Sequence, residues 1–311
     1  MNNDIMTKVS PAAVLEDIWI RVDAENKAEV ARIAAKYKVE FPASAEGVFE
    51  DHDSVCLNIT HMMPEAQDFR RETIVIAFSD KVVVTLEPKG HFAPFDKALA
   101  RFKRHPGLVE SSYSIMRTLL QAMNDAAAET IDMISQALET MNDQIGVITS
   151  GLDSSGREIG VSDINDTMIE LNEKEELISR CLECQLSLAR AARYLRMEIN
   201  GSDHELKNMV ETLLSDMDGV KQHASFEHEK VRYLQQSVMT SLNVKQNQIV
   251  KVFTIITAVF LPPTLVATFY GMNFAVMPEL TWKHGFTATI IQTLLAALLP
   301  LLYIKKKGWL R

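Results

Sequence analysis

Along most of the chain, apolar positions recur at helical or strand spacing, but near the C-terminus they merge into two unbroken runs. Ile249 to Tyr270 holds 22 residues with Lys251 as its only charge, and Phe286 to Ile304 holds 19 with none. At about 1.5 Å rise per residue, the longer run covers about 33 Å as a helix, the thickness of a hydrocarbon core. Buried helices of a large soluble core would have the same composition. The flanks favour a membrane: Tyr270 and Trp282 stand near one face and Tyr303 and Trp309 near the other, as interfacial aromatic belts do. Lys305, Lys306 and Lys307 follow the second run directly, whereas the segment between the runs balances Lys283 against Glu279. The positive-inside rule therefore predicts both termini in the cytoplasm. The first residues carry no basic stretch followed by an apolar one, so no cleavable signal peptide is expected.

Upstream, Asp23 to Tyr37 predicts a helix with Val30, Ile33 and Ala34 on one face, and Val55 to Thr60 predicts a strand. Thr73 to Phe78 and Lys81 to Leu86 are β-branched runs joined at Ser79-Asp80, which predicts a hairpin with a two-residue turn. From Ser111 to about Thr149 the spacing is helical, with Ile115, Leu119, Ala122, Ala126, Ile131, Ile134, Leu138, Met141 and Ile145 forming a seam. The Gly-, Ser- and Asp-rich segment 150–156 predicts a turn into an antiparallel partner helix, about Val161 to Glu198. Asn200-Gly201-Ser202-Asp203 then ends that helix and caps a third, which meets no stop before Pro262. Continued to Tyr270, such a rod is about 100 Å long and cannot bury its own surface, so it is expected to pack on copies of itself or on the preceding hairpin.

The expected organisation is an α/β cytosolic domain over residues 1–105, an antiparallel helical hairpin over 106–202 and a cytosolic stalk over 203–248. A first transmembrane helix follows over 249–270, a periplasmic loop over 271–285, a second transmembrane helix over 286–304 and a basic tail over 305–311. The fold class is thus an α+β membrane protein. Charge sharpens this picture: the chain carries −9 overall and residues 249–311 carry +5, which leaves −14 on residues 1–248. Such acidity argues against nucleic-acid binding and permits attraction of cations, although it also serves solubility alone. Three cysteines, an odd number, suit a reducing compartment. Cys181-x-x-Cys184 lies inside a helical stretch with no second pair and no histidine nearby in the sequence, so a metal or redox site is not expected there.

One face of the long helix has its own chemistry. Counting back from Gly271 in alternating steps of three and four gives Thr268, Thr264, Leu261, Thr257, Thr254, Val250 and Asn247, then Asn243, Thr240 and Gln236. This spacing keeps one seam towards a bundle axis, while Leu234, Val238 and Leu242 lie on another face. A mostly polar, uncharged seam fits the wall of a water-filled path. Taken alone, the seam is read first as helix packing, with each Thr bonded to its own backbone. Pro262-Pro263 frees backbone carbonyls within the span, which suits a gate or a merely local bend.

Tyr270-Gly271-Met272-Asn273, Met277-Pro278-Glu279-Leu280, Trp282 and the ending Lys305-Lys306-Lys307-Gly308-Trp309-Leu310 together resemble the CorA family of magnesium transporters. Leu261-Pro262-Pro263-Thr264-Leu265-Val266-Ala267 resembles its proteobacterial branch. The resemblance implies a homopentamer in the inner membrane whose first span lines a pore and whose second packs outside. It implies a selectivity filter of Gly271, Met272 and Asn273 at the outer mouth, with Tyr270 supporting its shape. Asn247 and Thr264 match polar pore positions, and Val250, Phe253 and Leu261 match a hydrophobic constriction. Here the resemblance prefers Phe253 where the seam selects Thr254.

The chemistry implied is that of a small, hard cation. Mg²⁺ gives up its water reluctantly, so amide and carbonyl oxygens that hydrogen-bond to its hydration shell suit it better than an incomplete octahedron. The spans hold no thiolate or imidazole, which argues against a tight Zn²⁺ site. A ring of Glu279 would concentrate cations at the mouth. Two departures stand out: Ala275 occupies a position where relatives carry Glu, and Gln236 stands where a regulatory carboxylate is expected. Glu65, Asp68, Asp216 and Asp218 remain loose candidates for regulatory Mg²⁺, with a solvated acidic face as the first reading of each.

The resemblance therefore implies passive Mg²⁺ movement, with Co²⁺ and Ni²⁺ as further ions and cytosolic Mg²⁺ as gate. A Zn²⁺ transporter of the ZntB kind is the first alternative and a non-conducting membrane scaffold or sensor the second. No nucleophile and base pairing, phosphate loop or metal-ligand cluster points to an enzyme, and no cofactor is expected; the expected partners are copies of the chain, lipid and divalent cations.

Overall fold

The computed structural model describes residues 11–41, 47–51, 54–65, 68–88, 91–151, 156–157, 159–199, 201, 203–272 and 277–308, without the side chains of 11–14, 47–48, 51, 64–65, 68, 150 and 279–280. The chain divides into two compact units, Met1–Gly146 with Thr167–Gln235, and Val147–Asp166 with Gln236–Arg311.

The first unit is built on a sheet of β1 (Trp19–Asp23), β2 (Gly47–Asp51), β3 (Ser54–Glu65), β4 (Asp68–Phe78) and β5 (Val83–Glu87), in the order β1-β5-β4-β3-β2. β1 pairs with β5 in parallel and the other pairs are antiparallel. Side chains alternate across such strands, and both faces are apolar here. Val55, Leu57 and Ile59 of β3 with Ile74, Ile76 and Phe78 of β4 enter one core cluster, whereas Cys56, Ala77 and Val84 enter another. The second cluster is covered by α2 (Lys27–Tyr37) through Ile33 and Val30. The first is covered by α3 (Ala93–Arg104) and by parts of α4 (Ser112–Ser150), α5 (Val161–Glu198) and α6 (His204–Tyr270). The short α1 (Pro11–Ile18) leads into β1.

Local chemistry sets the element ends. Asp23 is the last residue of β1, in register with Glu87, so α2 starts later than the periodicity predicts, at Lys27, capped by Asn26, whose Oδ1 accepts from Glu29 N at 3.2 Å. The hairpin turn spans four residues rather than two: Phe78 stands opposite Val83, and Ser79 Oγ accepts from both Lys81 N and Val82 N at 3.3 Å. The seam of α4 is buried as spaced, except that Ala127 takes the covered position next to Ala126. Asp203 caps α6, its Oδ1 accepting from Leu206 N at 3.0 Å.

Buried carboxylates tie elements of this unit together. Arg21 of β1 donates from Nε and Nη2 to the two oxygens of the fully buried Glu87 at 2.7 and 2.6 Å, and from Nη1 to Asp96 Oδ1 at 2.7 Å. Thr85 Oγ1 donates to Glu87 at 3.1 Å and accepts from Trp19 Nε1 at 3.1 Å, so Glu87 ties β1 to β5 and Arg21 carries the link on to Asp96 of α3. Glu227 interrupts the apolar seam of α6 between Ala224 and Val231 and is equally buried, accepting from Ser135 Oγ of α4 at 2.9 Å. His223 Nε2 and Lys230 Nζ each lie 3.6 Å from its oxygens.

His61 of β3 is buried with Phe92 edge-on at 5.7 Å, and its Nε2 has no hydrogen-bond partner. It borders a small void beside Thr130, Cys181, Cys184 and Gln185. Burial without a compensating anion pushes the imidazole down to about 4. A group whose folded pKa is depressed in this way favours the native state while neutral. The stability it contributes is complete above the unfolded value near 6.5 and is lost as pH falls from there towards 4, up to about 3 kcal/mol. Unfolding of the detergent-solubilised chain, followed by circular dichroism, should show that loss, and His61→Phe should remove most of it. An unchanged pH profile in the variant would contradict the assignment.

In the second unit, α6 continues from Gln236 to Tyr270 without interruption at Pro262 and Pro263, and α7 (Gly285–Lys306) follows. Both helices have stretches long and apolar enough to cross a membrane, with mean hydropathy 2.0 and 1.8. Almost nothing within the single chain covers those stretches, so Phe253, Phe260, Leu265, Leu294 and Leu299 lie about two-thirds exposed. Side chains of this kind demand lipid or further protein around them.

Candidate ion-conduction path

Five of the predicted pore positions share one open side of α6. Val250, Phe253, Thr254, Thr257, Leu261 and Pro262 line a single shallow, largely apolar groove along the helix. The structure thus puts both Phe253 and Thr254 on this side, the pair between which the seam and the family resemblance divide. Asn247, Thr264 and Thr268 are exposed as well.

The threonine hydroxyls are already committed. Thr254 Oγ1 donates to Val250 O at 2.8 Å, Thr257 to Phe253 O at 2.9 Å, Thr264 to Phe260 O at 2.7 Å and Thr268 to Thr264 O at 2.8 Å. Each proton is spent on the helix's own backbone, which leaves lone pairs turned outward as acceptors. Water molecules around a cation donate hydrogen bonds outward, so an acceptor surface suits a hydrated ion. The bond itself does not single out a pore wall, because Thr289 and Thr293 of α7 make it too, to Gly285 O and Thr289 O.

At the end of α6 the backbone stays wound for two residues past Tyr270. Gly271 N donates to Ala267 O at 3.0 Å and Thr268 O at 3.1 Å, and Met272 N to Phe269 O at 3.3 Å. A methyl group on Gly271 would lie 3.3 Å from Ala267 O and 3.4 Å from Thr268 O, so the chain passes its own last turn too closely for a side chain to fit freely. Tyr270 packs edge-on against Phe269 at 5.8 Å, and its hydroxyl reaches Gln292 Oε1 of α7 at 3.4 Å. Gln292 is a residue that sequence reasoning missed. Its signal is the single amide in the otherwise apolar and hydroxyl-bearing second run.

Asn273 lies outside the described residues, as does the side chain of Glu279, whose backbone belongs to the 3₁₀ turn Pro278–Thr281. Lys305, Lys306 and Lys307 end α7 in exposed positions.

The regulatory candidates are dispersed. Glu65 and Asp68 stand opposite each other in register where β3 meets β4, their side chains outside the described residues. Asp216 and Asp218 are exposed on α6, the latter accepting from Gln222 Nε2 at 2.7 Å. Among the described residues no three His, Cys, Asp or Glu side chains are placed to hold a metal ion. Cys181 and Cys184 do meet His61 in space, which sequence spacing did not reveal. Burial pushes the Cys181 thiol up to about 12, far from the thiolate that metals and oxidants require.

A family model described as CorA-like Mg2+ transporter protein matches residues 16–306, which takes in both units and both apolar helices. The chain belongs to this family. The magnesium transport protein CorA of Escherichia coli strain K12 is 30% identical over 285 residues, covering 89% of this chain and 84% of that protein. Its counterpart from Salmonella typhimurium strain LT2 is 28% identical over 313 residues, covering 96% and 93%. The complete structure of the CorA magnesium transporter from Methanocaldococcus jannaschii superposes with a TM-score of 0.72 at 15% identity, over 94% of this chain and 92% of that one. That likeness shows the fold: an N-terminal α/β domain, long helices and two C-terminal apolar helices.

Proposed function

We propose that this CorA family member moves Mg²⁺ across the inner membrane through a homopentameric pore lined by α6. The observation that carries the reading is the family match across residues 16–306, which includes both apolar helices and Gly271-Met272-Asn273 between them. In this reading the ion enters with its inner water shell. Asn273 amide oxygens and Gly271 carbonyls accept hydrogen bonds from those waters, and a ring of Glu279 raises the cation concentration outside. Below the filter, Thr268, Thr264, Thr257, Thr254 and Asn247 present acceptors, and Val250, Phe253 and Leu261 narrow the path. The termini lie in the cytoplasm, where Mg²⁺ bound by carboxylates such as Glu65, Asp68, Asp216 and Asp218 closes the pore. Co²⁺ and Ni²⁺, similar in hydrated size, follow the same route.

Ion choice is tested by flux into proteoliposomes at equal gradients of Mg²⁺, Co²⁺, Ni²⁺ and Zn²⁺. Mg²⁺ influx well above that of Zn²⁺ is expected. Zn²⁺ influx exceeding that of Mg²⁺ would replace this reading with a zinc transporter, and no influx of any ion would leave a scaffold or sensor.

A further inference from the structure

Four lysines of the second unit have no counter-ion among the described residues. Lys251 of α6 and Lys305, Lys306 and Lys307 at the end of α7 make no ion pair among the described residues. Between Gln236 and Arg311 the sequence holds one acid, Glu279, on the segment that joins the opposite ends of the two helices.

Their depth is set by the helices. Lys251 lies 19 positions before Tyr270 on α6, and Lys305 lies 19 positions after Phe286 on α7. At about 1.5 Å per residue both fall about 28 Å from the outer ends of their spans, one hydrocarbon thickness away. Long ammonium side chains at that level extend to the interface with their stems against apolar surface. Lys307 Nζ also lies 5.8 Å from the ring of Tyr303, an aromatic at the same level. The unpaired charge, the common depth and the aromatic neighbour together call for an anion that is itself fixed at the membrane surface.

We propose that Lys251, Lys305, Lys306 and Lys307 form a binding site for the phosphate groups of anionic lipids in the cytoplasmic leaflet. This rests on the membrane orientation given above, but not on which ion is carried. Phosphate is the chemistry the site recognises; its source is the lipid headgroup, because acyl chains alongside the exposed apolar face of α7, the outer helix in the reading above, hold it in place. Near an anionic surface each lysine strengthens partitioning about fivefold, so four give a marked preference over zwitterionic lipid.

The test reads lipid retention rather than transport. Full-length protein is reconstituted in vesicles of phosphatidylcholine with one-fifth phosphatidylglycerol, extracted in mild detergent, and its bound lipid is counted by native mass spectrometry. Phosphatidylglycerol should be enriched about tenfold or more over its share in the vesicle. A variant with all four lysines changed to Gln should lose the enrichment, and one with all four changed to Arg should keep it, which separates lost charge from failed folding. Equal lipid composition in the wild type and the Gln variant would overturn the proposal. Added inorganic phosphate should not compete; if it displaces the lipid at millimolar concentration, free phosphate is the ligand and the lipid assignment falls. Because no ion is moved, a failure of Mg²⁺ transport and a failure of lipid binding are distinguishable.

Discussion

Asn273→Ala should reduce Mg²⁺ influx into proteoliposomes by about two to three orders of magnitude while the oligomer survives. The expectation follows from repetition around a ring. In a pentamer the substitution removes five amide acceptors at once, each hydrogen bond to the ion's waters contributing about 0.5–1 kcal/mol, and every 1.4 kcal/mol is a factor of ten. Gly271→Ala approaches the same filter from its backbone. The added methyl group would stand 3.3 and 3.4 Å from the carbonyl oxygens of Ala267 and Thr268, which belong to the last helical turn and have little freedom to yield. The filter must shift instead, so flux should fall while size-exclusion behaviour stays that of the wild type. Wild-type flux in Asn273→Ala would remove the filter from the account.

The second large effect concerns stability. Glu87→Ala should destabilise the chain by about 3–5 kcal/mol, because it leaves Arg21 without its bidentate partner while Trp19 and Thr85 lose the end of their hydrogen-bond chain. Water reaches the guanidinium, which is a quarter exposed, and Asp96 still accepts from it, so the lower end of that range is expected. Burial of the carboxylate costs desolvation as well. A paired replacement, Arg21→Met with Glu87→Leu, should therefore recover most of the loss. Thermal unfolding followed by circular dichroism measures both variants. A loss below about 1 kcal/mol in Glu87→Ala would show that the buried pair does not hold β1 to β5.

The elements that local spacing encodes were legible in the sequence. Ile115 to Ile145 repeat at helical steps and form the buried seam of α4, and the third helix runs unbroken from its Asp203 cap to Tyr270. The two apolar runs emerge as exposed stretches of α6 and α7. Elements defined by distant partners were not legible. β1 is five residues long and finds its partner 64 positions later, Trp19 opposite Val83, so nothing near it in sequence marks it as a strand. Likewise α3 has Pro94 in its first turn, and its buried face is met by distant residues such as Trp19, which packs edge-on against Phe95 and Phe102. At the candidate path the shared groove of Val250, Thr254, Thr257 and Leu261 is a matter of period and could be counted. The Tyr270–Gln292 contact, the buried Glu227 against Ser135 and the meeting of His61 with Cys181 and Cys184 depend on which helices and strands lie side by side.

Direct measurement of Mg²⁺ influx by the wild-type chain tests the central claim. Protein reconstituted in liposomes containing an Mg²⁺-sensitive dye is given an outward-to-inward Mg²⁺ gradient and a potassium diffusion potential. The account predicts influx that rises as the interior is made more negative, since each divalent ion crossing 100 mV gains about 4.6 kcal/mol. Influx no greater than in protein-free liposomes at every potential would contradict it.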